Sequence, residues 1–367
     1  MEVPAKRPLT TADRALLSLL DGDVGYLERF HKVKSLARRV RSTEYLLTNA
    51  CNIRCEGCWF FKHDFDKSTN ELKSVDGVRE FARRERERGI TYAIIIGGEP
   101  TLIQDRVAAF VEVMKKMPRE GFEKVAVQIS LFGGGKLDDE LRAIKPGNVR
   151  FTGLFEQALR NYEGDPRACF VYAITEDGID YIVDTVRRIH DNGNRVSFNF
   201  YSKYNQAEPL RMLNAPRLLA EAMRAKELYP TTVLSHPYFI RTIVTGDSHW
   251  GRFGYETCPS ISVDHPDHEA RRANGNPTLP LFNAYAADCK TVNFCCTSGH
   301  RDDCRDSQAV LSWLIVNFDR FRESGMLLKT WIEISESYWR QFIWAPYDVV
   351  SVPVHRRTML PMAVSEL

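Results

Sequence analysis

From residue 42 onward, short runs rich in β-branched and aromatic side chains alternate with segments whose apolar positions recur at helical spacing. The strand-like runs are TEYLLTN from Thr43, YAIII at 92–96, KVAVQISLF at 124–132, VRFTGLF at 149–155, FVYAI at 170–174 and RVSFNFY at 195–201. Helical spacing fills the intervals at 75–88, 106–117, 137–144 and 179–191. Strand followed by helix, repeated, predicts parallel βαβ units. Six strands over about 160 residues fall short of the eight-unit closed barrel of roughly 250 residues. The pattern therefore predicts an α/β fold, a partial (β/α)6 TIM-like barrel open on one side. Ligand sites of parallel α/β sheets lie outside the carboxyl ends of the strands, so the loops after the first two strands share one rim.

The flanks differ. Leu16, Leu17, Leu19 and Leu20, then Leu27, Phe30, Val33 and Leu36, predict one or two helices, an N-terminal helical cap over 1–41 ahead of a barrel core at 42–205. Beyond lies a C-terminal region, 206–367, that is cysteine-rich and ends in closing helices. Within it 218–228 reads as a helix and HPYFIRTIV, from His236, as a β-rich run. Residues 245–310 are rich in Gly, Pro, Asp, His and Cys, a composition expected to bury little apolar surface by itself. The aromatic segments between 308 and 345 predict a terminal helical pair.

Composition changes this picture little. The 367 residues are 44% hydrophobic and 27% charged, as in ordinary folded domains. A formal net charge of +2 supplies no field that would favour nucleic acid or a membrane surface. RRERER, from Arg83, reads as a solvated helix face. No window of about 20 apolar residues and no signal-type h-region occur, so a cytoplasmic location is expected. In that reducing setting the nine cysteines are expected to be thiols or metal ligands rather than disulfides.

The chemistry concentrates in CNIRCEGC, which places Cys51, Cys55 and Cys58 in the loop after the first strand. A structural zinc site closes its tetrahedron with four ligands in paired spacings, and this loop has three. Three thiolates on a four-iron cluster would leave one iron open to a cofactor or substrate. After the second strand comes GGEP, Gly97, Gly98, Glu99 and Pro100. Its glycines allow close backbone approach to a ligand, and Glu99 can accept a charge-assisted hydrogen bond from an ammonium group.

Cys-x3-Cys-x2-Cys after strand one, with GGEP after strand two, resembles the radical S-adenosylmethionine (SAM) superfamily over roughly residues 42–205. The resemblance implies a 4Fe-4S cluster on Cys51, Cys55 and Cys58, with the amino and carboxylate groups of S-adenosylmethionine on the unique iron. It implies reductive cleavage of that cofactor to a 5′-deoxyadenosyl radical, which abstracts a hydrogen atom from the substrate. It also implies a flavodoxin- or ferredoxin-type electron donor. Where many members carry an aromatic residue before the third cysteine, this chain has Gly57, with Trp59 just after. Trp59, as a substitute for that aromatic, is one candidate for cofactor contact; Ser130, Thr152, Thr175, Glu176 and Asn199 are further candidates, each with an alternative as a capping or turn residue.

Cys258, Cys289, Cys295, Cys296 and Cys304 cluster in turn-rich sequence, where a bound metal could supply folding energy. Four of the five, Cys258, Cys289, Cys304 and one of Cys295 and Cys296, read as ligands of a second, auxiliary iron–sulfur cluster, loosely similar to SPASM or twitch extensions, with structural zinc or free thiols as alternatives. Cys169 reads as a buried small hydrophobe. Substrate-pocket candidates are Tyr201, Lys203, Glu176, His236 and Arg241. The expected function is hydrogen abstraction from a small polar metabolite, such as a sugar, nucleoside or amino-acid derivative, in specialised-metabolite biosynthesis. Dehydrogenation, epimerisation, elimination and rearrangement are the outcomes open to it. A peptide-modifying maturase is the alternative, disfavoured by the roughly 40 residues ahead of the first strand, too few for a leader-binding domain. A non-catalytic electron-transfer protein would have no use for GGEP.

Overall fold

Two short parallel strands set the position of everything that follows: β1 (Ser42–Leu46) and β2 (Tyr92–Ile96) pair in the register that sets Leu46 opposite Ile96. Their shared carboxyl ends carry both sequence motifs on one rim. The computed structural model describes residues 8–39, 41–58, 70–115, 125–200, 213–247, 262–266, 269, 279–293, 314 and 317–342.

The crossover from β1 to β2 runs through α3 (Val75–Glu87), whose first turn is capped by the Ser74 hydroxyl accepting from the Gly77 amide. After β2, a single 3₁₀ turn (Pro100–Ile103) leads into α4 (Gln104–Lys115). A second sheet follows, with β3 (Val127–Leu131), β6 (Ala168–Ile174) and β7 (Arg195–Phe200) side by side and parallel. Its helices are α5 (Gly135–Arg142), α6 (Leu154–Asn161) and α7 (Ile182–Asp191). The core thus has the alternating α/β order read from the chain, built as two parallel sheets that share no hydrogen-bonded strands among the described residues.

One predicted strand joins neither parallel sheet. VRFTGLF forms only β5 (Val149–Arg150), antiparallel to β4 (Ile144–Lys145), and then turns into α6. Gly153 explains the break: it adopts φ +82° as the N-cap of α6, a conformation that ends extended pairing and opens a helix. Where VRFTGLF would have stood, β3 pairs directly with β6, and beyond β7 the backbone at Val233 bridges Val196 in parallel.

HPYFIRTIV is likewise helical, α9 (Pro237–Thr245), although its apolar residues are largely β-branched and aromatic. Pro237 at the first helical position, the His236 ring accepting from the Tyr238 amide, and Gly246 at φ +76° after the last turn bracket it at both ends. End signals prevail here over strand propensity.

The stretch expected to lack a core is partly core itself. Phe282, Asn283, Ala284, Tyr285, Ala286, Ala287 and Cys289 are buried. Ala284–Tyr285 form β8, parallel to β1, and β9 (Val292–Asn293) closes a hairpin on it. A polar clamp fixes that docking: Glu85 of α3 accepts from the Tyr45 hydroxyl at 2.7 Å and the Tyr285 hydroxyl at 3.2 Å. Arg88 pairs with Glu85 and donates to the Leu281 carbonyl at 2.7 Å. The Tyr45 and Tyr285 rings stack with centroids 5.8 Å apart.

Two helices occupy the N-terminal stretch, α1 (Thr11–Leu19) and α2 (Val24–Arg39). After α8 (Ala215–Leu228) and α9, the chain ends its described part with the short α10 (Phe318–Phe321) and the long α11 (Gly325–Phe342). Phe30 of α2, Phe170 and Phe198 of the second sheet, Leu218, Ile240 and Trp331 share one buried cluster, so the N- and C-terminal helices pack into the core of the sheet region. Each such fully buried apolar side chain stabilises the fold by about 1.5–3 kcal/mol. Between α2, α9 and α11 the cluster is seamed by polar pairs: Tyr26 and His236 both bond Glu333, and Arg29 forks onto Glu336.

Candidate functional site

The loop after β1 and the loop after β2 are zipped together beyond their strands. The Gly98 amide donates to the Thr48 carbonyl at 3.0 Å and the Glu99 amide to the Ala50 carbonyl at 2.8 Å. This contact explains the glycine pair. Gly97 sits at φ +135°, and a Cβ there would lie 2.6 Å from the Thr48 oxygen. At Gly98 a Cβ would fall 1.9 Å from the Ala50 oxygen and 3.2 Å from Cys51 Cβ, so any side chain would drive GGEP away from the cysteine loop.

Glu99 caps the turn that follows. Its Oε1 accepts from the Thr101 amide at 3.0 Å and the Thr101 hydroxyl at 2.6 Å. Both bonds fall on the same oxygen, which leaves Oε2 without a protein donor among the described residues.

Beneath the rim lies a brace that no motif announces. Arg106, in the first turn of α4 and 6% exposed, forms an ion pair with Glu71 at 2.6 Å and donates to the Leu47 and Leu72 carbonyls. Glu71 in turn accepts from the Thr48 hydroxyl and the Asn49 amide at 3.1 Å each. Desolvation pushes the Glu71 carboxyl up, but the Asn49 amide and the Arg106 guanidinium outweigh it, so it titrates below the usual glutamate range. The backbone that delivers the cysteine loop is thus held by charged and hydrogen-bonded groups on two sides.

Cys51, Cys55 and Cys58 are free thiols and half-buried. Gly57 supplies the positive φ of +63° that turns the loop, and the Cys58 amide closes on the Cys55 carbonyl at 3.2 Å. The loop is pinned from outside by Arg54 N–H to the Ile144 carbonyl, 2.6 Å, and Glu56 N–H to the Leu141 carbonyl, 2.7 Å. Among the described residues no three His, Cys, Asp or Glu side chains stand close enough together to hold a metal ion, so the loop is placed while its thiols are not gathered.

Beside Cys55 stands the end of α5. Arg142, with a side chain 12% exposed, is fixed by Asp138 at 3.4 Å and by the Ser130 carbonyl. Burial pushes the Cys55 thiol up, and the neighbouring Arg142 guanidinium opposes that push through its charge and a hydrogen bond. The Nε of Arg142 is buried without a partner among the described residues.

The remaining candidates fall in different surroundings. Ser130 lies on β3 and is exposed, and Thr152 is exposed ahead of α6. Glu176, half-buried after β6, accepts from the Asn214 amide. Thr175 caps the turn after β6 by accepting from the Gly178 amide at 3.0 Å. Asn199 is half-buried on β7, its side-chain oxygen accepting from the Phe200 amide at 2.7 Å.

Strand register puts Ser130, Val171 and Ser197 in one row, with Gln128 two residues before Ser130 and Asn199 two after Ser197. That face is opposite the one on which Leu131, Tyr172 and Phe198 pack with Ile182, Val186 and Ile189 of α7. It is largely polar, with Gln128 and Ser130 exposed.

His236 is a buried N-cap bonded to Glu333 rather than a pocket residue. Trp59, Tyr201, Lys203, Cys258, Cys295, Cys296 and Cys304 lie outside the described residues. Cys289, their described companion, is 4% exposed among Tyr45, Phe81, Phe110 and Tyr285, and burial pushes its thiol up to about 12. That is the setting of a small hydrophobe, the role expected of Cys169, which is 1% exposed and likewise pushed up to about 12 by burial. A surface cleft of about 520 Å³ between α3 and α4 involves Arg79 and Arg83, which pair with Asp76, Glu112 and Glu80; it is a solvated salt-bridge face rather than part of this rim.

Residues 45–213 match the family model of the Radical SAM superfamily, a span that holds both rim loops, β2 and the whole second sheet. They form a radical SAM domain. Such a domain takes a 4Fe-4S cluster and S-adenosylmethionine. The chain is also similar to a protein named probable GTP 3′,8-cyclase from Saccharolobus solfataricus, 30% identical over 101 residues, which is 27% of this chain. The match spans 30% of that relative's length.

The residues of the rim fit both groups. Three thiols share one loop and a glycine pair keeps the backbone beside them free of side chains; among the described residues, Glu99 has an unused carboxylate oxygen and Arg142 an orphaned buried donor. No helix of the described residues is long and apolar enough to cross a membrane.

Proposed function

We propose that this radical SAM enzyme abstracts a hydrogen atom from a small polar metabolite, with Cys51, Cys55 and Cys58 as iron ligands and GGEP as the S-adenosylmethionine cradle. Bound there, the cluster and S-adenosylmethionine together supply one-electron cleavage of the sulfonium and a radical able to take hydrogen from an unactivated carbon. The chain's own residues bind and orient. Three thiolates fill three iron positions and leave the fourth to the cofactor. Glu99 Oε2 accepts from the methionine ammonium while Oε1 keeps its bonds to Thr101. Gly97 and Gly98 let the backbone approach.

The observation that carries the substrate class is the polar face of the second sheet. Gln128, Ser130 and Asn199 offer a hydroxyl and amides on the side away from the helices, suited to hydroxyl- or amide-bearing substrates such as sugars, nucleosides or amino-acid derivatives. The name of the Saccharolobus relative, with a nucleotide in it, agrees with a polar metabolite. Electrons come from a flavodoxin- or ferredoxin-type donor. The cysteines beyond residue 250 remain candidates for a second cluster, with Cys289 the least suited of them. Anaerobically reconstituted, reduced protein should cleave S-adenosylmethionine to 5′-deoxyadenosine, and polar metabolites that bind should raise that rate. Absence of cleavage with the cluster loaded and substrate supplied would refute the reading.

A further inference from the structure

The clearest unassigned feature is the guanidinium beside the middle cysteine of the loop. Arg142 ends α5 and is locked in place by three contacts: Asp138 one turn earlier, the Ser130 carbonyl at the end of β3, and the Phe132 ring, 5.4 Å from its guanidinium carbon. Asp138, 1% exposed, is itself held by the Phe132 amide at 2.7 Å. The loop is drawn onto the same corner by Glu56 N–H to the Leu141 carbonyl, the residue just before Arg142. The cation therefore stands beside Cys55 as a consequence of the fold rather than of side-chain freedom. A buried N–H left without an acceptor is costly, and among the described residues Arg142 Nε is such a group.

We propose that Arg142 is a positioning and potential-setting residue for the iron–sulfur cluster, its guanidinium donating to the Cys55 sulfur or an adjacent cluster sulfide and so favouring the reduced state. The assignment rests on the reading of Cys51, Cys55 and Cys58 as iron ligands. A four-iron core in its 2+ state with three thiolates carries one net negative charge, and reduction adds another. A fixed cation and N–H···S bonds stabilise the more negative state and raise the reduction potential. Asp138 tempers the cation and keeps its fork aimed.

The test uses the full chain with its cluster reconstituted anaerobically, read by redox titration followed by electron paramagnetic resonance. Arg142→Met is expected to lower the midpoint potential at the parent's iron content. Arg142→Lys should restore part of the shift, and Asp138→Asn, which keeps the guanidinium and removes its opposing charge, should move the potential upward. Fe–S stretching frequencies that shift in deuterated solvent for the parent should lose that sensitivity in Arg142→Met. A loaded Arg142→Met with the parent's potential overturns the assignment, as does an unmoved Asp138→Asn if Arg142→Met takes up no iron. A parent chain that takes up no iron overturns the ligand reading, and this assignment falls with it.

Discussion

Glu99 divides its carboxylate between the protein and the space beside the cysteine loop: Oε1 caps the turn at Thr101, and Oε2 has no donor among the described residues. Glu99→Gln retains the capping oxygen and loses the charge offered to an ammonium. A hydrogen bond to a charged group is worth about 1.5–3 kcal/mol, so S-adenosylmethionine affinity should fall about ten- to hundredfold with the fold intact. Isothermal titration against the loaded protein would show it, and unchanged affinity would remove Glu99 from the cofactor site. At this scale the sequence was informative where a residue's chemistry is unusual in itself. Three cysteines in eight residues and a glycine pair at a strand end stand out without any structure. Arg142 and Arg106 do not, because an arginine among charged helical residues looks solvated until the fold sets Cys55 beside one and Glu71 beside the other.

Among the elements, the start of α4 carries more than a crossover. Arg106 ties it to the backbone on both sides of the cysteine loop, at Leu47 and Leu72, and to Glu71. Removing one partner of a buried pair leaves the other charge uncompensated, at a cost of about 3–5 kcal/mol. Arg106→Met should therefore lower the unfolding free energy by about that amount in chemical denaturation, and reduce iron retention because the strand end that presents Cys51 loosens. A loss below about 1 kcal/mol would show that the brace is solvated and weak. Elements were legible where pattern and end signals agree, as for Tyr92–Ile96 and Ile182–Asp191. They were misread where ends override composition. In VRFTGLF a single glycine at φ +82° converts a strand-like run into a helix start, and in HPYFIRTIV proline, histidine and glycine frame a helix around β-branched residues.

At the scale of the molecule, the segment around residues 281–289 is part of the core beside β1 rather than a loose appendage. Tyr285 stacks on Tyr45, and Glu85 and Arg88 of α3 clamp the strand. That long-range pairing cannot be seen in a composition rich in turn formers, since β8 has only two residues and its burial depends on β1. Cys289 shares this burial, so Cys289→Ala should leave the iron content of the reconstituted protein unchanged. A drop of about four irons per chain, the content of one cluster, would instead make it a ligand. The central claim is that the rim formed by CNIRCEGC and GGEP starts radical chemistry on S-adenosylmethionine. The most direct measurement is 5′-deoxyadenosine formed from S-adenosylmethionine by the reduced, anaerobically reconstituted protein, beside the same protein carrying Cys55→Ala. Product from the parent and none above background from Cys55→Ala is the result predicted; equal product from both, or none from a parent with its cluster loaded and substrate supplied, would contradict it.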